Sequence, residues 1–219
     1  MTTLTCGADT PERMAATACR YKDARAIKLK LTGEQLDAER VRAVRTVKTT
    51  EWLSVDANQG FTRSSFDRLL PVLVEARVSM IEQPFPVGKE ALLEDLESPI
   101  TICADESITL REDILRAAEL FQMINIKLDK TGGLTEGMRW IHAAREAGLD
   151  VTVGNMFGTS LAMAPAFVLG QGCEIVDLDG PLFLRTDRAD RAHYADGHID
   201  CSKMSWGNCP ELGPRGSVI

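Results

Sequence analysis

The stretch Ala26-Ile27-Lys28-Leu29-Lys30-Leu31 alternates apolar and lysine side chains. A period of two belongs to an extended strand, whose successive side chains point to opposite faces. Ile27, Leu29 and Leu31 share one face, Lys28 and Lys30 the other. In a sheet backed by helices the outer face is apolar. The reading therefore turns both lysines into the interior of a closed sheet.

Outward from this strand the pattern repeats. Short β-branched or apolar runs occur at 3–5, 26–31, 52–55, 78–81, 100–104, 123–126, 151–153 and 174–178. Between them lie stretches of helical period: Leu36, Val41, Val44 and Val47 within 34–48, and Phe66, Leu69, Leu70, Leu73 and Val74 within 64–76. Helix starts are expected at Asp9-Thr10-Pro11-Glu12, at Thr32-Gly33-Glu34 and after Thr109. The terminal polar residues Lys30, Asp56, Glu82, Asp105 and Lys127 are spaced by 26, 26, 23 and 22 residues, and Asp177 follows after a double interval of 50. One strand plus one helix takes about 25 residues. Eight such units fit a (β/α)8-type, TIM-like barrel with parallel strands, in the modified form (β/α)7β. An open doubly wound sheet is the competing architecture, but it feeds its ligand site from few strands. Residues 1–184 are expected to form the barrel. Residues 185–219 are expected to form an irregular tail packing on it, with the charge-dense 185–191 in solvent and turns at Trp206–Pro210 and Gly213-Pro214.

The chain has 219 residues, 44% of them hydrophobic, which supports a full core and excludes disorder. A net charge of −7 argues against a nucleic-acid phosphate binder. No apolar run is long enough to span a bilayer, and no signal peptide is visible. The cysteines at 6, 19, 103, 173, 201 and 209 lack the spacing of a zinc site. They read as reduced thiols of a cytoplasmic protein, with a Cys201–Cys209 clip as the alternative.

The strand ends carry the chemistry. Asp56, Glu82 and Asp105 end three successive strands and can meet at one point. Three acids there repel unless a cation holds them. An all-carboxylate set suits Mg²⁺, with Mn²⁺ second. Lys127, alternating with Ile124 and Ile126 beside Asn125, is expected on the inner face across the barrel from Lys30, with Lys130 left to the loop. Two lysines facing each other over a divalent cation suggest proton traffic on a carbon acid. Neighbouring positive charge would depress a lysine pKa and let it act as a base near neutrality. A base on each side of the carbon permits racemisation or epimerisation. Asp177 and Asp179 share a face and could grip a substrate ammonium, or could simply shape an Asp-Gly turn.

Taken together, Lys28-Leu29-Lys30, Asp56-Ala57-Asn58, Glu82-Gln83-Pro84, Ala104-Asp105-Glu106-Ser107, Asn125 to Gly133 and Asp177-Leu178-Asp179-Gly180-Pro181 resemble the dipeptide epimerases of the muconate-lactonizing-enzyme subgroup in the enolase superfamily. The resemblance runs from about residue 2 to 184. It implies Asp56, Glu82 and Asp105 as Mg²⁺ ligands and Lys30 and Lys127 as the two acid/base catalysts. It implies Lys28 as the group that neutralises the substrate carboxylate, and Asp177 with Asp179 as the grip on the dipeptide ammonium. The implied activity inverts the Cα of the C-terminal residue of a dipeptide such as L-Ala-D/L-Glu through an enediolate, in murein peptide metabolism. Neighbouring activities of the subgroup are N-acylamino acid racemisation, cycloisomerisation and o-succinylbenzoate synthesis. Family members carry an N-terminal capping domain before the barrel, whereas this chain begins at what resembles the first barrel strand. A lidless barrel is therefore expected, inactive as a fragment or served by a capping domain in trans. Family barrels often assemble, so a homo-oligomer is a further expectation.

Overall fold

The structure, a computed structural model, describes residues 1–204. Seven parallel strands form one curled sheet in sequence order: β1 (Thr3–Cys6), β2 (Ala26–Lys30), β3 (Trp52–Asp56), β4 (Met80–Glu82), β5 (Thr101–Ala104), β6 (Met123–Lys127) and β7 (Asp150–Gly154). Helices α1 (Pro11–Arg20), α2 (Asp37–Val47), α3 (Arg63–Glu75), α4 (Asp113–Ala117), α5 (Leu128–Thr131), α6 (Leu134–Glu146) and α7 (Ser160–Leu169) occupy the connections. The β4–β5 connection has only a 3-10 turn at Glu90–Leu93. Ile27 and Leu29 on the helix-facing side of β2 are fully buried, as the alternation requires. They join Leu53, Val55, Ile81, Ile124 and Ile126 in one apolar layer under the helices.

The expectation of a full eighth strand at 174–178 needs correction. The ring closes there, but through one residue. Val176 bridges in parallel to Thr2 on one side and to Val153 on the other. The Thr3 amide donates to Val176 O at 2.9 Å, and the Asp177 amide to Val153 O at 2.8 Å. Two residues along β1 the next rung is replaced. The Thr5 amide donates to Asp179 Oδ2 at 2.6 Å, while the carbonyl of Leu178 accepts from Tyr194 Oη at 2.6 Å. A side-chain carboxylate thus takes the place of the backbone acceptor, and pairing stops.

Two helix starts also differ from expectation. α1 begins where it should, with Pro11 at its first position and Thr10 Oγ1 accepting from the Arg13 amide. α2 begins at Asp37, because the Asp37 carboxylate accepts from the amides of Thr32 and Gly33. α4 begins at Asp113, whose carboxylate likewise collects the amides of Thr109 and Leu110. In both, an acid inside the first turn satisfies the loop amides that a preceding cap would have served.

After a 3-10 turn at Gly180–Phe183, the chain forms a hairpin, β8 (His193–Ala195) and β9 (His198–Asp200). Asp196 and Gly197 at its tip have φ of 50° and 72°, the conformation that favours Asp-Gly in a two-residue turn. The hairpin is tied to the barrel by Thr2 N donating to Gly197 O at 3.0 Å. Within the charged segment 185–191, Asp187 is not simply solvated: its carboxylate accepts from the Ser160 amide at 3.0 Å and from Ser160 Oγ at 2.5 Å at the start of α7. The turns expected at 206–210 and 213–214, and the Cys201–Cys209 clip, lie outside the described residues. Cys6, Cys19, Cys103 and Cys173 are free thiols. Among the described residues no helix is long and apolar enough to cross a membrane.

Candidate active site

Parallel strands in register bring their last residues to one rim. Lys30 pairs with Asp56 across β2 and β3, and Asp56 with Glu82 across β3 and β4. Asp105 follows β5 directly, and Lys127 ends β6. The positions read as interior from the alternation of sequence are interior.

Lys28 is the centre of the cluster. Its side chain is 2% exposed, and Nζ lies 2.8 Å from Asp177 Oδ2, 2.8 Å from Glu82 Oε2 and 3.0 Å from Asp56 Oδ2. Burial works against its charge, yet Asp177, Asp56 and Glu82 together raise its pKa well above that of an ordinary lysine. Lys30, nearer solvent, donates to Asp56 Oδ2 at 2.6 Å and to Asn58 Oδ1 at 2.9 Å. Burial opposes ionisation of Asp56, but Lys28 and Lys30 hold it well below the usual carboxylate range.

Glu82 has the opposite balance. Burial, with the charges of Asp56, Asp105 and Asp177, pushes its pKa up to about 8 against the opposing charge of Lys28. Its Oε1 accepts from Asn125 Nδ2 at 3.0 Å. Asp105 is held by two lysines: Lys127 donates to Oδ2 at 2.5 Å, and Lys130 to Oδ1 at 2.8 Å. Burial opposes the ionised form of Asp105, and Lys130 and Lys127 outweigh it, so its pKa falls. For Lys127 burial lowers the pKa, but Asp105 and Glu82 raise it by more. The immediate neighbour of Lys127 is the carboxylate of Asp105, the main source of that rise.

Asp177 accepts from Lys28 and, through Oδ1, from Thr3 Oγ1 at 2.7 Å. Asp179 is 4% exposed, and its carboxylate accepts from the Thr5 amide at 2.6 Å. Burial and the neighbouring Asp177 push its pKa up to about 7.

Four contributors were missed or underrated in sequence. Lys130, read as a loop residue, reaches back to Asp105 and to the Asn125 carbonyl at 2.9 Å. Gln83 accepts from the amides of Asp105 and Ser107 through Oε1, which fixes the turn carrying Asp105. Asn58 supports Lys30, and Asn125 supports Glu82. Gln83 left no signal in the sequence, since alternation assigns it the face opposite Glu82 and its turn comes from a left-handed backbone with φ of 36°.

Lys30, Asp105, Lys127, Lys130, Asp177 and Asp179 line one cleft of about 570 Å³ at the strand ends. A second cleft of about 340 Å³, with Trp52, Arg145 and Cys173 in its wall, lies at the opposite ends of the strands and holds none of the predicted groups. Catalysis on a parallel barrel sits at the C-terminal rim, so the first cleft is the candidate.

The donor set tests whether a divalent cation suits this place. Among the described residues no three Asp, Glu, His or Cys side chains stand as a ready metal cage. Asp56 faces Lys28 and Lys30, and Asp105 faces Lys127 and Lys130, so ammonium groups supply the counter-charge. The cluster nonetheless carries surplus acid: the carboxylates of Asp56, Glu82, Asp105, Asp177 and Asp179 stand against the ammonium groups of Lys28, Lys30, Lys127 and Lys130. Buried all-oxygen carboxylates in excess of their cations have the chemistry that binds Mg²⁺ or Mn²⁺.

Residues 13–204 match the model of the family described as enolase C-terminal domain-like. Over 200 residues the chain is 36% identical to an N-acetyl-D-glutamate racemase of a Pseudoalteromonas species, covering 91% of this chain and 63% of that protein. It is 36% identical over 192 residues to the L-Ala-D/L-Glu epimerase of Escherichia coli K12, covering 87% and 60%. Among solved structures, an Agrobacterium tumefaciens enolase family member with homology to dipeptide epimerases, holding sodium and L-Ala-L-Glu, superimposes with a TM-score of 0.86 at 40% identity, covering 90% and 60%. A dipeptide epimerase from Cytophaga hutchinsonii complexed with Mg and D-Ala-L-Val gives 0.85 at 28% identity, covering 91% and 58%. The chain spans about 60% of the length of the curated relatives it matches.

Proposed function

The chain belongs to the enolase C-terminal-domain-like family, and on that premise we propose that it is the catalytic barrel of a dipeptide epimerase. The observation that carries the reading is the pair Lys30 and Lys127, which end β2 and β6 and line the same acidic cleft. One lysine removes the proton from the Cα of the C-terminal residue. The other returns a proton on the opposite side. The contact of Lys127 with Asp105 favours its ammonium form, so Lys127 must first give up its proton to act as the base.

Asp56, Glu82 and Asp105 are the residues that would hold Mg²⁺, or Mn²⁺ in its place. The ion would offset the negative charge that builds on the substrate carboxylate as the Cα proton leaves. Lys28 is proposed to balance the charge of that carboxylate and of the acids around it. Asp179, with Asp177 beside it, is proposed to take the ammonium of the dipeptide. A dipeptide such as L-Ala-D/L-Glu fits these groups, and peptides of murein are its proposed source in the cytoplasm. A capping segment, in cis or in trans, would exclude water from the cleft and speed turnover.

The test is Mg²⁺-dependent exchange of the Cα proton of L-Ala-L-Glu with D₂O, followed by NMR. Exchange that disappears with EDTA and returns with Mg²⁺ supports the reading. Folded, Mg²⁺-binding protein that exchanges no dipeptide refutes it.

One observation favours a second reading, N-acylamino acid racemisation: the similarity to an N-acetyl-D-glutamate racemase extends over 91% of the chain. Such a substrate has no ammonium for Asp179. Exchange of N-acetylglutamate without exchange of L-Ala-L-Glu would establish it over the first.

A further inference from the structure

The chain has two tyrosines, Tyr21 and Tyr194, and both end at the seam of the ring. Tyr21 follows α1, and Tyr194 belongs to β8 of the hairpin. Tyr21 Oη donates to the Thr5 carbonyl at 3.0 Å, and Tyr194 Oη to the Leu178 carbonyl at 2.6 Å. The two side chains also border one hollow of about 190 Å³, with Leu4 and Gly197 in its wall. Leu4 lies on the face of β1 opposite Thr3 and Thr5, so the tyrosines come to the seam from outside the ring.

The two carbonyls flank the rung at which pairing stops. Along a parallel ladder the bonds recur every two residues. Thr3 N donates to Val176 O, so the register would send Thr5 N to Leu178 O. Instead the Thr5 amide donates to Asp179 Oδ2 at 2.6 Å. The exchange leaves no carbonyl stranded, because Leu178 O has its donor in Tyr194 and Thr5 O has its donor in Tyr21. A buried carbonyl without a partner is strongly disfavoured. Without Tyr194 Oη, Leu178 O would regain a partner by taking the Thr5 amide, and the Asp179 carboxylate would lose it. Both phenols stay protonated as donors. Burial pushes the pKa of Tyr21 up to about 12 and that of Tyr194 well above the usual value, with the charge of Asp179 adding to each.

We propose that Tyr194 and Tyr21 are positioning residues: by capping the two carbonyls at the interrupted rung, they reserve the Thr5 amide for Asp179 and fix its carboxylate in the wall of the cleft. This rests on the reading of Asp179 as the group that takes the substrate ammonium. Asp177 needs no such help, because Lys28 and Thr3 hold its two oxygens. Asp179 is held by the Thr5 amide, and the tyrosines decide which acceptor that amide serves. Thr5 and Asp179 both line the cleft, so a change of acceptor there alters its wall.

The experiment uses two ligands alike except for the ammonium, L-Ala-L-Glu and N-propionyl-L-Glu, titrated calorimetrically into the whole chain in Mg²⁺. The unsubstituted chain is expected to bind L-Ala-L-Glu at least about tenfold more tightly. Tyr194→Phe keeps the ring and removes the hydroxyl. It should weaken L-Ala-L-Glu by about tenfold and N-propionyl-L-Glu by less than about threefold. Tyr21→Phe carries the same test through the other cap, should Tyr194→Phe not fold, and is expected to reduce the preference by at least about threefold. Added to Asp179→Asn, Tyr194→Phe should weaken L-Ala-L-Glu by less than about threefold more, because both act through one carboxylate. Equal weakening of the two ligands, which general loosening of the fold would give, overturns the proposal. So does an unchanged preference in either tyrosine variant, or a fully additive loss in the double variant. Failure of the underlying reading shows separately: Asp179→Asn then leaves the preference intact, or the unsubstituted chain shows none. A preference lost in Asp179→Asn but kept in Tyr194→Phe refutes the tyrosine assignment alone.

Discussion

Lys28 Nζ and Asp177 Oδ2 lie 2.8 Å apart and join the second strand to the closing segment of the ring, 149 residues away in sequence. The contact lies inside the barrel, with the Lys28 side chain 2% exposed and that of Asp177 13% exposed. It therefore bears on stability and on the site at once.

Replacing Lys28 by Met removes the common counter-charge of Asp56, Glu82 and Asp177. Breaking a buried pair from one side typically costs about 3–5 kcal/mol. Urea unfolding of Lys28→Met in EDTA should show a loss of that order. The double variant Lys28→Met/Asp177→Asn should recover part of it, since one stranded charge is then gone. Equal stability of the single and double variants would contradict the coupling.

Stability without metal should fall as pH rises. The pKa of Glu82 in the folded protein is about 8 against 4.5 unperturbed, so the folded state holds a proton that the unfolded chain has released. Its contribution is fully present below about 4.5 and is lost as pH rises through about 8. Asp179, raised to about 7, acts in the same direction over a lower window. Thermal unfolding in EDTA from pH 5 to 9 should show the decline, and Glu82→Gln should flatten its upper part.

Lys30 and Lys127 should fail differently. If they serve opposite sides of the substrate carbon, Lys30→Ala and Lys127→Ala each lose exchange from one epimer far more than from the other. The loss for the affected epimer should be about 10²–10⁴-fold. NMR exchange of L-Ala-L-Glu and L-Ala-D-Glu, measured separately, reads this directly. Equal loss from both epimers in both variants would remove the opposite-side assignment.

Mg²⁺ should stabilise the chain by mass action. At a concentration 100 times the Kd the gain is about 2.7 kcal/mol, which for a domain of this size raises Tm by about 5–10 °C. Asp56→Asn should abolish most of that rise. A Tm insensitive to Mg²⁺ in the unsubstituted chain would count against the three-acid ligand set.

Much of this was legible in sequence, and the reason is the period of two. Ile27-Lys28-Leu29-Lys30-Leu31 and Ile124-Asn125-Ile126-Lys127 declare which side faces inward, because the helix layer admits only apolar partners. The spacing of charged strand ends then gathered Asp56, Glu82 and Asp105 at one rim. What could not be read was what side chains do after the strand ends. Lys130 sits past β6 in a short helix, and its return to Asp105 depends on the helix's path and not on alternation. The starts of α2 and α4 moved because Asp37 and Asp113 reach backward to loop amides, a contact that leaves the same composition as a forward cap. The eighth strand was over-read because Glu174 to Leu178 has strand-like composition, while its pairing is cut short by Asp179 taking the Thr5 amide.

That substitution also has a mechanical side. Seven strands share a continuous ladder, yet the seam between the first and last of them is fastened by Val176 and two acidic side chains. Asp177 and Asp179 are thus at once the latch of the cylinder and the groups proposed to grip a ligand. A molecule that draws them forward loosens the latch, and one that they clasp tightens it. A ligand held by Asp177 and Asp179 would therefore bear on the closure of the ring as well as on the chemistry of the cleft.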